Sequence, residues 1–222
     1  MFTPYGCTVV VSQPDADELR ALNPGLNVHV IPNGVDIEQL QPSGAKRETA
    51  ALLFTGNYEY PPNVDAALVL ARDILPRVRA SIPDAKLWLV GNAPPPELQA
   101  LAGDAITVTG RVPDVRPYLE KATVFVSPLR LGAGIKNKVL EALALGCPVA
   151  ATPLSVDGIA VENERSALTA DLDQLPEAVV RLLRDAELQR TLATNGRALI
   201  ERDYTWTRVA EKYEALYQAV SR

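Results

Sequence analysis

Residues 124–152 spell one complete strand–turn–helix–strand unit. Such a unit commits a chain to parallel pairing, because a second strand pointing the same way needs a long crossover, usually a helix. The apolar strand Val124–Val126 stops at Pro128. Gly132 and Gly134 allow a tight turn and a close backbone approach to a ligand. A helix is predicted from about Ile135 to Gly146, and Val149–Thr152 is the next strand. The free N–H groups and positive dipole end of that helix face whatever lies over the glycines, a geometry suited to phosphate. Lys136 and Lys138 fall in its first turn. Cations there oppose the dipole, unless an anion sits between them. Glu141 lies about one turn (~5.4 Å) further on, on the face of Asn137 and Lys138. It interrupts the apolar stretch Val139–Leu145, where an unpaired carboxylate is costly to bury. A carboxylate at that point can accept two hydrogen bonds from ribose hydroxyls. Phosphate at the helix start and ribose one turn on describe a nucleotide.

The alternation extends along the chain. Strands are predicted at Thr8–Val11, Val28–Ile31, Ala51–Thr55, Lys86–Val90, Ile106–Thr109 and Thr123–Ser127, with a short apolar segment at Ala167–Thr169. Helices are predicted from the acidic start Asp15-Ala16-Asp17-Glu18 to Leu22, and at Val64–Ala80, Pro96–Leu101, Val115–Lys121, Leu175–Arg184, Ala186–Arg202 and Trp206–Ala219. This pattern is that of an α/β fold, a Rossmann-like parallel sheet covered by helices on both faces. Gly56, Gly91, Gly110 and Gly132 all follow strands, at the carboxyl ends where open α/β sheets bind ligands. Residues 41–49 are polar, carry Pro42, Ser43 and Gly44, and read as a linker.

Composition removes several alternatives. The chain has 222 residues and a net charge of −5 without a basic patch, so no nucleic-acid partner is expected. No apolar run reaches transmembrane length. Cys7 and Cys147 read as small buried residues in a reducing compartment. The only histidine, His29, lies in a strand, and no ligand spacing surrounds it. Asp15-Ala16-Asp17 and Asp171-Leu172-Asp173 sit at helix starts, where acids offset the dipole, so no metal site is assigned. Gly132-Ala-Gly134 is followed by Asn137 where a dinucleotide fingerprint needs its third glycine, and the P-loop pattern is absent.

Five stretches in order then carry a family resemblance. They are residues 30–36 (Val-Ile-Pro-Asn-Gly-Val-Asp), 54–66 (with Tyr-Pro-Pro-Asn-Val-Asp-Ala), 89–91, 108–118 (Val-Thr-Gly-Arg-Val-Pro-Asp-Val-Arg-Pro-Tyr) and the 124–152 unit. From about Val9 to Tyr217 the chain resembles the carboxyl-terminal, donor-binding half of GT-B glycosyltransferases of family 4, the glycosyl transferases group 1. The form Gly134-Ile-Lys-Asn-Lys-Val-Leu-Glu-Ala142 is most similar to exopolysaccharide sugar transferases.

The resemblance implies a retaining, metal-independent enzyme of cell-surface polysaccharide or glycoconjugate synthesis. It takes a UDP- or GDP-sugar as donor substrate and has no cofactor. Glu141 matches the ribose-binding second glutamate of the family's paired motif; the first falls on Ala133, so the usual contact to the donor sugar does not carry over. Asn57 and Pro61-Pro62 stand where members commonly have an Arg and a Lys, which leaves Arg130, Lys136 and Lys138 as the catalytic cations for the leaving diphosphate. Fixed cations aimed at charge that grows on bond cleavage favour the transition state. Arg111 and Val112 match the base-binding loop, and Gly56, Asn57, Gly132, Ala133, Gly134, Ile135 and Glu141 complete the donor-contact set. Residues 1–40 are expected to be a remnant of the acceptor domain with its linker, and 41–222 the nucleotide-sugar domain with the carboxyl-terminal helix. The expected partners are therefore the missing acceptor domain or a protein that supplies it. The uncovered strands at 8–11 and 28–31 are also open to pairing in a homodimer. Transfer to an acceptor is not expected from this chain alone, and a non-catalytic nucleotide-sugar module serving a separate chain is the alternative. A cytoplasmic location is expected, peripheral to the inner membrane face in a full-length enzyme.

Overall fold

In the computed structural model, which describes residues 6–220, the apolar runs form two separate parallel sheets. The smaller pairs β1 (Thr8–Val10) with β2 (Val28–Val30) through the crossover helix α1 (Gln13–Leu22). Ser12 caps α1: its hydroxyl accepts the Asp15 N–H at 3.3 Å and donates to the Asp15 carboxylate at 2.6 Å. This is the reciprocal use of a helix start that the acidic residues led one to expect.

The larger sheet contains β3 (Ala51–Thr55), β4 (Lys86–Val90), β5 (Ile106–Val108), β6 (Val124–Ser127), β7 (Val149–Ala151) and β8 (Leu168–Thr169). Its spatial order is β5-β4-β3-β6-β7-β8, all parallel. The order runs outward in both directions from the β3–β6 pair, so the topological switch point lies between those two strands. β3, β6 and β7 are buried at every position, which explains their unbroken apolar sequence.

Three helical details depart from the sequence expectation. The helix predicted at 64–80 begins earlier, as α2 (Pro61–Val69). It continues through a π-helical stretch (Leu70–Ile74) into α3 (Leu75–Ser81). Pro76 supplies the reason, because it offers no N–H and its ring would press on the Arg72 carbonyl of a regular α-turn. After α4 (Pro96–Gln99) and α5 (Arg116–Lys121), the helix predicted from Ile135 starts two residues later, as α6 (Asn137–Ala144), with Lys136 at its N-cap. A short helix after β7, α7 (Pro153–Val156), has no counterpart in the predicted pattern. α8 (Leu175–Arg184), α9 (Ala186–Asp203) and α10 (Trp206–Val220) follow as expected. α10 returns to the amino-terminal strands, where Val209 and Leu216 bury against Ile31 with Val9 and Tyr213 alongside.

α6 is fixed from behind. Val139, Leu140, Ala142, Leu143 and Ala144 are all buried, and Leu143 reaches α9 at Gly196, where a Cβ would stand 2.8 Å from its Cδ2. Two arginines occupy the carbonyl end. Arg197 of α9 donates to the carbonyls of Ala144 and Leu40. Arg47, from the segment read as a linker, donates to Gly146 at 2.7 Å and to Leu119, Glu120 and Ala122. Both cations meet the negative end of the helix dipole; Arg197 satisfies the orphan carbonyl of Ala144, and Arg47 the Gly146 carbonyl just beyond the helix. Arg197→Ala should therefore lower the free energy of unfolding by about 2–3 kcal/mol, read from urea denaturation. A change within experimental error would mean that the α6 terminus is satisfied without it.

Candidate functional site

The cleft opens along the carboxyl ends of β3, β4 and β6. The turns after β3 and β4 touch: Gly91 has φ +155°, and a Cβ on it would stand 1.7 Å from the Gly56 carbonyl oxygen. Only glycine fits there, and the close approach leaves open space above the two turns. A cavity of about 400 Å³ occupies that space. Gly56, Asn57, Gly91 and Asn92 form its floor, Arg111, Val112 and Val115 one wall, and Lys138 and Glu141 of α6 the other.

A second cavity, of about 530 Å³, lies in front of the α6 N-terminus. Tyr60 and Asn63 line it from the start of α2, and Gly132, Ala133, Ile135, Lys136 and Asn137 from the loop and helix. Asn57 and Lys138 line both cavities, so the two adjoin at those residues. The loop turns through Gly132 (φ +112°) and Gly134 (φ +71°). Its base is held by buried hydroxyls. Ser155 of α7 accepts the Leu129 N–H at 3.1 Å and donates to the Ser127 carbonyl at 2.7 Å, while Thr152 donates to the Leu129 carbonyl at 2.6 Å. The unpredicted helix α7 thus aims the glycine loop. No side chain caps the N–H groups of the first turn of α6.

The charged groups are arranged unevenly. Lys138 is the most enclosed: its ammonium donates to Asn63 Oδ1 at 2.5 Å and lies 4.3 Å from the centre of the Phe54 ring. Burial pushes its pKa down to about 7; Glu141 counteracts this and Lys136 adds to it. Burial raises the Glu141 carboxyl, and Lys138 partly offsets the rise. Lys136 donates to the Gly134 carbonyl; burial lowers its pKa, against the pull of Asp157 and Asp15. Arg130 is placed differently from these lysines. Its guanidinium forks onto Asp65 of α2, at 2.8 and 2.7 Å, and neither cavity is lined by it. Asn137 accepts from Asn33 at 2.9 Å, which ties the amino-terminal connection to the start of α6.

The structure therefore brings Gly56, Asn57, Arg111, Val112, Lys138 and Glu141 around one cavity, and Gly132, Ala133, Ile135 and Lys136 around the next. Gly134 shapes the loop between them. Sequence reasoning passed over Asn63, Tyr60 and Asn92. The one available signal was the proline pair before Asn63, which starts α2 and so fixes where that side chain projects.

Comparison with known proteins bears on the family and the fold. The family model described as "Glycosyl transferases group 1" matches residues 49–185. The phosphatidyl-myo-inositol mannosyltransferase of Mycolicibacterium smegmatis is 28% identical over 203 residues, covering 86% of this chain and 52% of its own. The chain spans about half the length of the curated relatives it matches. Among solved structures, sucrose-phosphate synthase from Thermosynechococcus elongatus superposes with a TM-score of 0.78 at 24% identity, over 96% of this chain and 58% of that one. HepE from Anabaena, solved with UDP and glucose, gives a TM-score of 0.74 at 16% identity, over 96% and 63%. These likenesses give the fold, the Rossmann-like sheet of GT-B glycosyltransferases, and the family match covers more than half of the chain. The chain belongs to the glycosyl transferases group 1 family.

Proposed function

We propose that this domain binds a UDP- or GDP-linked sugar and is the donor-binding half of a retaining, metal-independent glycosyltransferase. Its setting would be cell-surface polysaccharide or glycoconjugate synthesis on the cytoplasmic side of the membrane. The observation that carries the reading is the placement of Lys138 and Glu141 one turn apart on α6: both line the cavity above the turns after β3 and β4, and Lys138 also lines the adjoining cavity in front of the helix start. In this reading the base lies against Arg111 and Val112, the ribose hydroxyls donate to Glu141, and the diphosphate meets the α6 N–H groups with Lys136 and Lys138. The sugar then occupies the cavity beside Ala133, Tyr60 and Asn63. Arg130 would have to release Asp65 to join the phosphate site. Among the described residues no helix is long and apolar enough to cross a membrane.

The chemistry follows from charge. As the glycosidic bond breaks, the electron pair moves onto the diphosphate oxygen. Helix N–H groups and ammonium groups already fixed around that oxygen stabilise it more in the transition state than in the bound donor. The amino-terminal strands would belong to the acceptor side of the cleft, and orientation of an acceptor hydroxyl against the sugar supplies a large part of the rate. We therefore propose that efficient transfer needs the acceptor-binding elements as well.

Glu141→Ala should weaken UDP or GDP binding by about 1.5–3 kcal/mol, the loss of a charge-assisted acceptor, by calorimetric titration. Unchanged affinity in a folded variant removes the ribose assignment. Nucleoside diphosphates should bind far more tightly than uridine or guanosine, and the difference should shrink with added salt. Equal affinities would remove the phosphate site.

The amine of Lys138 gives a pH signature. With a pKa of about 7 it is half protonated near neutrality in the free protein. A bound diphosphate favours the ammonium, so binding should take up protons. Affinity should be highest below pH 7 and fall above it by up to about tenfold per pH unit, until the pKa of the complex is reached. Calorimetry in buffers of different ionisation enthalpy reads the proton uptake directly; its absence at pH 8 would show that Lys138 does not face the phosphates.

A further inference from the structure

We propose that Asn63 is a positioning residue that holds the Lys138 side chain at the junction of the two cavities and locks it to the turn after β3. The proposal rests on the reading of that junction as a diphosphate site. Asn63 is 8% exposed, and both ends of its amide are used. Its Nδ2 donates to the Asn57 carbonyl at 2.7 Å, and its Oδ1 accepts from the Lys138 ammonium at 2.5 Å. A backbone carbonyl can only accept, so this contact fixes the amide orientation and leaves the oxygen for the lysine. The turn is also crowded against Asn63, since a Cβ on Gly56 would stand 3.0 Å from Asn63 Cγ. Asn63 is therefore wedged in place before any ligand arrives.

The consequence falls on the lysine. An ammonium has three N–H donors and no acceptor. One donor is spent on Asn63, and the ring of Phe54 at 4.3 Å backs the group on its buried side. The other donors remain for the cavities. Without Asn63, the enclosed amine would lose its one hydrogen-bond acceptor and shed its proton more readily. The other charges acting on it are Glu141, which favours the ammonium, and Lys136, which opposes it; Arg111 lines the far wall of the same cavity. Asn63 thus does by a neutral hydrogen bond what a second carboxylate would do by charge, without adding negative charge beside the phosphates.

The test is the titration of the Lys138 side chain in the nucleotide-free protein, followed by its ¹³Cε NMR shift and assigned with Lys138→Arg. Asn63→Ala should move the midpoint down by about one pH unit, and Asn63→Asp should move it up by a similar amount. A purely structural asparagine would not give shifts of opposite sign. With UDP as the probe, Asn63→Ala should bind about tenfold more weakly at pH 8, and the loss should shrink to about twofold at pH 6, where the amine is mostly protonated in the wild type and about half protonated in the variant. Midpoints unmoved in both folded variants overturn the proposal. If Asn63→Ala does not fold, the upward shift in Asn63→Asp decides alone. If the midpoints move as expected but the wild-type protein binds UDP and GDP no better than uridine and guanosine, the hold on Lys138 stands and the diphosphate reading falls.

Discussion

The site depends on one helix being held by its wrong end. α6 presents uncapped N–H groups to the cleft, and its first turn is held there by the preceding loop and by the contacts of Asn33 with Asn137 and of Asn63 with Lys138. The main anchoring is at the other terminus, where Arg197 binds the last carbonyl of the helix, that of Ala144, and Arg47 binds the Gly146 carbonyl just past it. Between the ends, its apolar residues are clamped between the sheet and α9. A helix fixed this way can keep a row of unsatisfied donors aimed at open space, because the energy of holding it there is supplied elsewhere. The glycine loop gains its direction similarly, from hydroxyls of Thr152 and Ser155 that the cleft never sees.

Burial sets the electrostatics of what the helix carries. Lys138 and Glu141 are both pushed toward their neutral forms by loss of water, and each restrains the other. The pair is therefore poised, at some cost in folding free energy, to gain from a ligand that brings anionic phosphate to one and hydroxyl donors to the other. The sheet order adds the space. At the switch point the crossovers leave β3 and β6 on opposite sides, and the turns after them part to leave a crevice. Beside it, Gly91 lets the turn after β4 rest on the Gly56 carbonyl.

Much of this was legible in the sequence. Buried parallel strands read as unbroken apolar runs, so β3, β6 and β7 were placed closely. The glycine loop, Lys138 and Glu141 could be joined because helical spacing alone puts the two side chains on one face. What the sequence hid was tertiary. Arg130 and Lys136 look equivalent as loop cations, yet Asp65, sixty-five positions away in sequence, holds Arg130 outside the cavities. The π-helical stretch arises from Pro76 meeting a helix that tertiary packing keeps continuous, where a local rule predicts only a kink. Residues 41–49 read as a linker from their polarity, but Arg47 makes this stretch a brace for α5 and α6. Asn63 stood in the 54–66 stretch behind its proline pair, but nothing local marked its role, which exists only once α2 faces α6.

The central claim is that a nucleotide lies across the carboxyl ends of β3 and β4, with its phosphates at the start of α6. Backbone amide chemical shifts during titration with UDP and GDP test it most directly. The account predicts the largest changes at Gly132, Gly134, Asn137 and Lys138, with a second group at Gly56, Gly91 and Arg111, and little change along α8 or the outer face of α10. Changes concentrated on the β1–β2 unit, with the α6 N–H groups silent, would contradict it.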